Sequence, residues 1–220
     1  TTDVLLSKKM IKRLGLVGTL IGFVVVAGMG TLVKADDIKA GSRAFIQIMA
    51  NKAIQSLTAN EMSRIERIKR FRLLFNDRFA VRSIGKFVLG RHWRKASKDE
   101  RIEYLGLFED FMVISYFDRF ISYAGETLQF KNTRIENKSN VTVFSEIKQP
   151  DGAKPIHIDW RVGTNGSIYK VLDVVVEGIS MSSTLRSDFG SIISQKDGKV
   201  LGLIEELKRK IISLQADLEN

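Results

Sequence analysis

The side chains that most enzymes rely on for covalent, redox or metal chemistry are scarce in this 220-residue sequence, which has no Cys and only two His. Without Cys there are no disulfides, thiolate zinc sites, iron–sulfur clusters or cysteine nucleophiles, and two imidazoles leave little for a histidine metal site or a Ser-His dyad. His92 and His157 lie far apart in the chain and read as ordinary surface or partner-satisfied histidines. Asp173 and Glu177 resemble an acid–base pair at first sight. On a strand they share a face only if no bulge intervenes, and Gly178 favours a hydrogen-bonding role at a strand end. Neither a phosphate-binding G-x-x-x-x-G-K-[ST] loop nor G-x-G-x-x-G, H-E-x-x-H or G-x-S-x-G occurs. No catalytic residue, metal or cofactor is therefore assigned, and the chain reads as a non-enzyme.

The elements that would position any site fall into two halves. From Ile38 to about Tyr123 there is no Pro and apolar residues recur at helical spacing. Thr58-Ala-Asn-Glu61 and Ser97-Lys-Asp-Glu100 match the capping box, in which hydroxyl and carboxylate each satisfy an orphan backbone N–H, and predict two helix starts. The second helix, Lys98 to about Ser122, carries an apolar arc too wide for a surface helix and must be covered on more than one side. Between the two helices, Gly85 and Gly90 predict short helical pieces broken by turns. After Gly125 the period changes to two. Turn chemistry at Pro150-Asp151-Gly152 and Asn165-Gly166 predicts a four-stranded antiparallel meander over about 127–136, 140–149, 155–163 and 168–177. A final helical part is expected from about Thr184. Its apolar positions Val200, Ile204, Leu207, Ile211, Leu214 and Leu218 are spaced like a short coiled-coil seam, with packing on its own domain the favoured alternative. The fold class is α+β: a helical N-terminal half wrapped on the meander, closed by C-terminal helices.

Residues 1–35 form the predicted signal-peptide region, and 36–220 a single domain. Lys12 and Arg13 precede an apolar stretch from Leu14 to about Ala27, and Val33-Lys34-Ala35 supplies the small residues of a signal-peptidase site, so cleavage is expected before Asp36. An uncleaved anchor is the alternative. Without the first 35 residues, 30 basic and 24 acidic side chains remain. For an exported chain this moderate excess points to lipid head groups or an acidic protein surface and away from nucleic acid. Arg64, Arg67, Arg70 and Arg72, set among apolar residues on a predicted helix, are the candidate docking face, with a merely solvated helix face as the competing reading.

The large aromatic and aliphatic inventory of a helix set facing a sheet, with no catalytic group in sight, is explained economically by an apolar cavity. Each acyl CH₂ withdrawn from water gains about 0.8 kcal/mol. Composition alone, however, ranks a plain packed core above a cavity. Val88-Leu89-Gly90 followed by the Ser97 capping box and the Tyr104–Phe120 helix resembles the MlaC, or toluene-tolerance, family of periplasmic phospholipid-binding proteins. So does Tyr169 to Met181 with its Asp173-Val-Val-Val-Glu177-Gly178-Ile179-Ser180 run, followed by Leu185 to Phe189. The resemblance extends over essentially the whole chain from Asp36 and implies a helix-wrapped sheet with lipid tails inside and the head group outside. It further implies a periplasmic carrier between an outer-membrane lipoprotein complex and an inner-membrane ABC transporter, maintaining outer-membrane lipid asymmetry. A carrier needs no ATP site of its own. By the same resemblance the tail slot is expected to be lined by Val88, Leu89, Phe108, Phe111, Met112, Trp160, Val162, Val174, Val176 and Ile179. A hopanoid-type lipid in place of phospholipid, a small-substrate enzyme with a cone-like pocket and a periplasmic interaction protein using the C-terminal seam remain as alternatives.

Overall fold

Asp36 and Asp37 open the first described helix, α1 (Ala35–Leu57), where their carboxylates complement the positive end of the helix dipole. Its Phe45, Ile46, Met49, Ala53 and Leu57 recur at helical spacing and are buried. The computed structural model describes residues 35–57, 62–122, 126–149 and 153–219, all within one compact unit spanning Val33–Asn220. The predicted leader other than Ala35, the Thr58–Glu61 capping box and the Pro150–Gly152 turn lie outside these residues. Among the described residues no helix is long and apolar enough to cross a membrane.

The next helix, α2 (Arg64–Arg78), is capped by Ser63, whose Oγ accepts the Glu66 N–H at 3.2 Å. After Phe79 and Ala80 come α3 (Val81–Leu89) and a 3₁₀ turn (Gly90–Arg94). Gly90, at φ +58°, ends α3 as expected. Gly85 does not break it. A Cβ there would stand 2.9 Å from the Leu105 side chain and 3.1 Å from Phe108, so this glycine permits close helix packing, and its carbonyl accepts the Tyr104 hydroxyl at 2.9 Å. Helix α4 (Lys98–Ser122) opens on a complete capping box: Ser97 Oγ accepts the Glu100 N–H at 3.1 Å and the Glu100 carboxylate accepts the Ser97 N–H at 2.7 Å.

The meander follows, as β1 (Leu128–Asn137), β2 (Asn140–Ile147), β3 (Ile156–Thr164) and β4 (Tyr169–Val176). To the four predicted strands the fold adds a two-residue β5 (Ile179–Ser180), and the sheet is antiparallel in the order β1-β2-β3-β4-β5. Glu177 (φ 49°) and Gly178 (φ 79°) form the two-residue link from β4 to β5, and positive φ at both positions is the backbone of a tight hairpin turn. Ser180 then caps α5 (Met181–Gln195), which begins three residues earlier than the periodicity suggested. The chain closes with α6 (Val200–Glu219).

Three groups of buried side chains hold these layers together. Phe45, Ile46 and Met49 of α1 pack on Val141, Val143, Trp160, Val162 and Val171 of the sheet. Ala53 and Leu57 meet Phe71, Leu74 and Phe75 of α2 and Val113 and Phe117 of α4. The other side of α4, with Tyr104 and Phe108, is covered by α3, α5 and α6, which explains its wide apolar arc. Val200, Ile204 and Leu207 of the seam are consumed in this third group, and Ile211 is buried as well. Phe79 packs against all three groups, and the chain beside it touches the sheet where the Ala80 N–H donates to the Val171 carbonyl at 2.9 Å.

Candidate functional site

Where the three groups meet they leave a cavity of about 720 Å³. This lies within the range of about 300–1,000 Å³ typical of small-molecule sites. The concave face of the sheet forms its floor through Leu128, Ile147, Ile156, Ile158, Trp160, Val174 and Val176. Met49, Ala53 and Ile54 of α1, Leu74, Phe75 and Phe79 at α2, and Met112 and Tyr116 of α4 form the walls. The exposed polar residues Asn51, Arg119, Ser122 and Thr127 of the lining mark the mouth, with Glu126 half-buried in the same lining, and Asp173 and Ser182 are buried parts of the wall. The Arg119 guanidinium lies 5.8 Å from the Tyr116 ring centroid, and burial pushes the Tyr116 phenol above its usual range, so that ring stays neutral. The arrangement can shelter hydrocarbon in its interior and meet a polar, anionic group at the rim.

Of the ten residues expected in the tail slot, Met112, Trp160, Val174 and Val176 line this cavity. Trp160 is held by its indole N–H, which donates to Ser145 Oγ at 3.0 Å while that hydroxyl donates to the Ile158 carbonyl at 2.8 Å. Val88, Leu89 and Phe108 are instead buried in the helical group, with Phe111 packed against it, and Val162 lies under α1. They support the walls without lining them. Ile179 is corrected outright, being 62% exposed on β5 and absent from the lining.

The motif around Ile179 has a structural purpose. The Asp173 carboxylate accepts the Ser182 N–H at 3.0 Å, the Ser180 hydroxyl at 2.6 Å and Arg161 at 3.1 Å, and Glu177 accepts the His157 N–H at 2.5 Å. These bonds fix the hairpin and the start of α5. That agrees with the hydrogen-bonding role expected of the two carboxylates and places Met181, Ser182 and Leu185 at the cavity.

The α2 arginines expected at a docking face also make ion pairs within the fold. Arg64 pairs with Asp118 at 2.7 Å, and Arg72 pairs with Glu109 at 2.8 Å and Asp110 at 2.7 Å, which ties α2 to α4. Arg70 pairs with Glu66 at 3.3 Å, one turn away on its own helix. Arg67 also has an interaction of its own.

The sequence reading missed the lining contributed by α1 and α2 together with Ile147, Ile156 and Ile158. The period-two pattern does place Ile156 and Ile158 on the face of Trp160.

The family model described as MlaC protein matches residues 47–209. The chain belongs to the MlaC family. A curated relative from Haemophilus influenzae, the intermembrane phospholipid transport system binding protein MlaC, is 24% identical over 115 residues, which are 51% of this chain and 54% of the relative. The chain thus spans about half the length of the curated relative it matches. Among solved structures, the phospholipid-binding protein of Ralstonia solanacearum in complex with a phospholipid superposes with a TM-score of 0.68 at 20% identity, covering 79% of this chain and 98% of that one. The MlaC-like α+β fold is therefore shared across low sequence identity.

Proposed function

We propose that this MlaC-family chain is a phospholipid carrier of the periplasm, a non-catalytic protein that holds acyl tails in the cavity and leaves the head group at the Arg119 mouth. The observation that carries this reading is the largely apolar cavity of about 720 Å³ with the exposed Arg119 in its lining. A lipid tail withdrawn from water gains about 0.8 kcal/mol per CH₂, which gives ample reason for such a space to stay lipid-filled. The names of the Haemophilus and Ralstonia relatives support phospholipid as the ligand. Family membership supports the proposed transport partners, an inner-membrane ABC lipid transporter and an outer-membrane lipoprotein complex, and the shuttling of lipid between the two membranes.

Native mass spectrometry of protein purified from cells tests the carrier directly. Protein should arrive with phospholipid bound and lose that mass on delipidation, whereas a chain that is empty or loaded only with polycyclic lipid would sink the phospholipid reading. Export rests on the leader pattern ending Val33-Lys34-Ala35. N-terminal sequencing of periplasmic material should start at Asp36, and recovery of an intact Leu14–Ala27 segment would make the leader an anchor.

A further inference from the structure

On the side of α3 away from the acyl cavity lies a second concavity of about 540 Å³, lined by Ser83, Lys86, Phe87, Gly90, Arg91, Trp93, Arg94 and Arg186. Four of these are cations and none is an acid. The sequence around them is equally one-sided, since seven basic residues and no carboxylate occur from Arg78 to Lys98. Unlike Arg64, Arg70 and Arg72, none of Lys86, Arg91, Arg94 and Arg186 has an ion-pair partner among the described residues.

Arg186 is also held in place. Its guanidinium lies 4.9 Å from the Phe87 ring centroid and donates one N–H to the Phe87 carbonyl at 3.1 Å. A Cβ at Gly90 would stand only 3.0 Å from that guanidinium, so the glycine makes the room it occupies. One donor is thus spent on fixing the group, and its other N–H donors remain for a ligand. Lys86 lies 5.8 Å from the Trp93 ring centroid, so both aromatic rings of the groove carry a cation over them.

We infer that this groove binds a phosphate ester, gripped by Arg186 and surrounded by Arg91, Arg94 and Lys86. Planar guanidinium forks match phosphate oxygens two at a time, and a concave cationic site with aromatic walls suits a compact anion carrying an apolar remainder. The ester can belong to a head group at a membrane surface or to a free phosphate compound, and both present the same chemistry. The site stands apart from the acyl cavity: α3 turns Ile84 to the cavity and Ser83, Lys86 and Phe87 to the groove.

Binding is measured with two probes on the full chain: calorimetric titration with glycerol 3-phosphate, and flotation with phosphatidylglycerol–phosphatidylcholine vesicles at low and high salt. Saturable binding of the soluble ester identifies a free phosphate compound, and binding to vesicles alone identifies a head group. Each cation removed near a charged surface costs about fivefold in affinity, so Arg91→Gln with Arg94→Gln should weaken whichever probe binds by about twenty- to thirtyfold. Arg186→Gln should do at least as much as one such change. Lys138→Gln with Lys154→Gln, two exposed cations elsewhere, should leave binding as in wild type. Melting temperature is followed throughout, and Arg94→Gln alone serves if another variant unfolds. The inference is overturned if the wild type binds neither probe, if the groove variants bind like wild type, or if the control pair loses as much. Co-purified acyl lipid should be unaffected by the groove variants, so failure here and failure of the carrier reading are told apart.

Discussion

Val174 and Ile179 stand five positions apart in one motif yet face different surroundings, the cavity floor and the solvent. Val174→Glu buries a carboxylate against hydrocarbon, a placement that costs several kcal/mol unless the group is neutralised or hydrated. A loss of about 1.4 kcal/mol already means tenfold weaker binding, so co-purified lipid should fall at least that far, as read by native mass spectrometry. Ile179→Glu should keep its lipid, and a loss equal to that of Val174→Glu would place Ile179 back at the tails. At the same scale, His92 is buried with no hydrogen-bond partner at Nδ1. Burial, and then the charges of Arg91 and Lys95, hold its pKa below the usual histidine value. The unfolded chain therefore binds more protons at mildly acidic pH, and stability falls as pH drops below about 6.5 toward the depressed folded value. Melting temperatures at pH 7.5 and 5.5 should show a smaller acid loss in His92→Gln than in wild type, and identical losses would remove His92 as a cause.

At the scale of elements, Ser97 and Glu100 satisfy each other's backbone N–H groups at the start of the longest described helix. Ser97→Ala should cost about 1 kcal/mol in urea unfolding with no change in m-value, and an unchanged midpoint would mean water replaces the cap fully. This start was legible because a capping box is a local pattern written in four residues. The change from helical to two-residue period was legible for the same reason, and it gave the meander to within a residue or two at most strand ends. Gly85 was misread because its reason lies across the packing interface, in Leu105 and Phe108. The ion pairs of Arg64 and Arg72 were illegible likewise, because the acidic partners Glu109, Asp110 and Asp118 lie on α4, well beyond any local window. Sheet parity shifted where expected in kind but not in place: the register slips between Arg161 and Val162, not at Gly178. The extra residue there is Leu172, which shares the cavity lining with Asp173 and Val174.

For the whole molecule, a cavity is a property of three packed groups failing to close, and no single stretch of sequence records it. Composition gave the apolar material, and only the arrangement of α1, α2 and α4 over the sheet divides lining from support. Met112 and Phe111 show how fine that division is: both pack against the helical group, and of these two neighbours on α4 Met112 alone also lines the cavity. The chain has two Trp residues, and they are apportioned one to each concavity, Trp160 to the apolar floor and Trp93 to the cationic groove. The protein thereby carries its own pair of optical reporters. In Trp93→Phe the remaining tryptophan emission, excited at wavelengths that tyrosine does not absorb, comes from the cavity alone and should shift with delipidation and reloading. In Trp160→Phe it comes from the groove alone, and it should answer to phosphate esters while ignoring acyl chains.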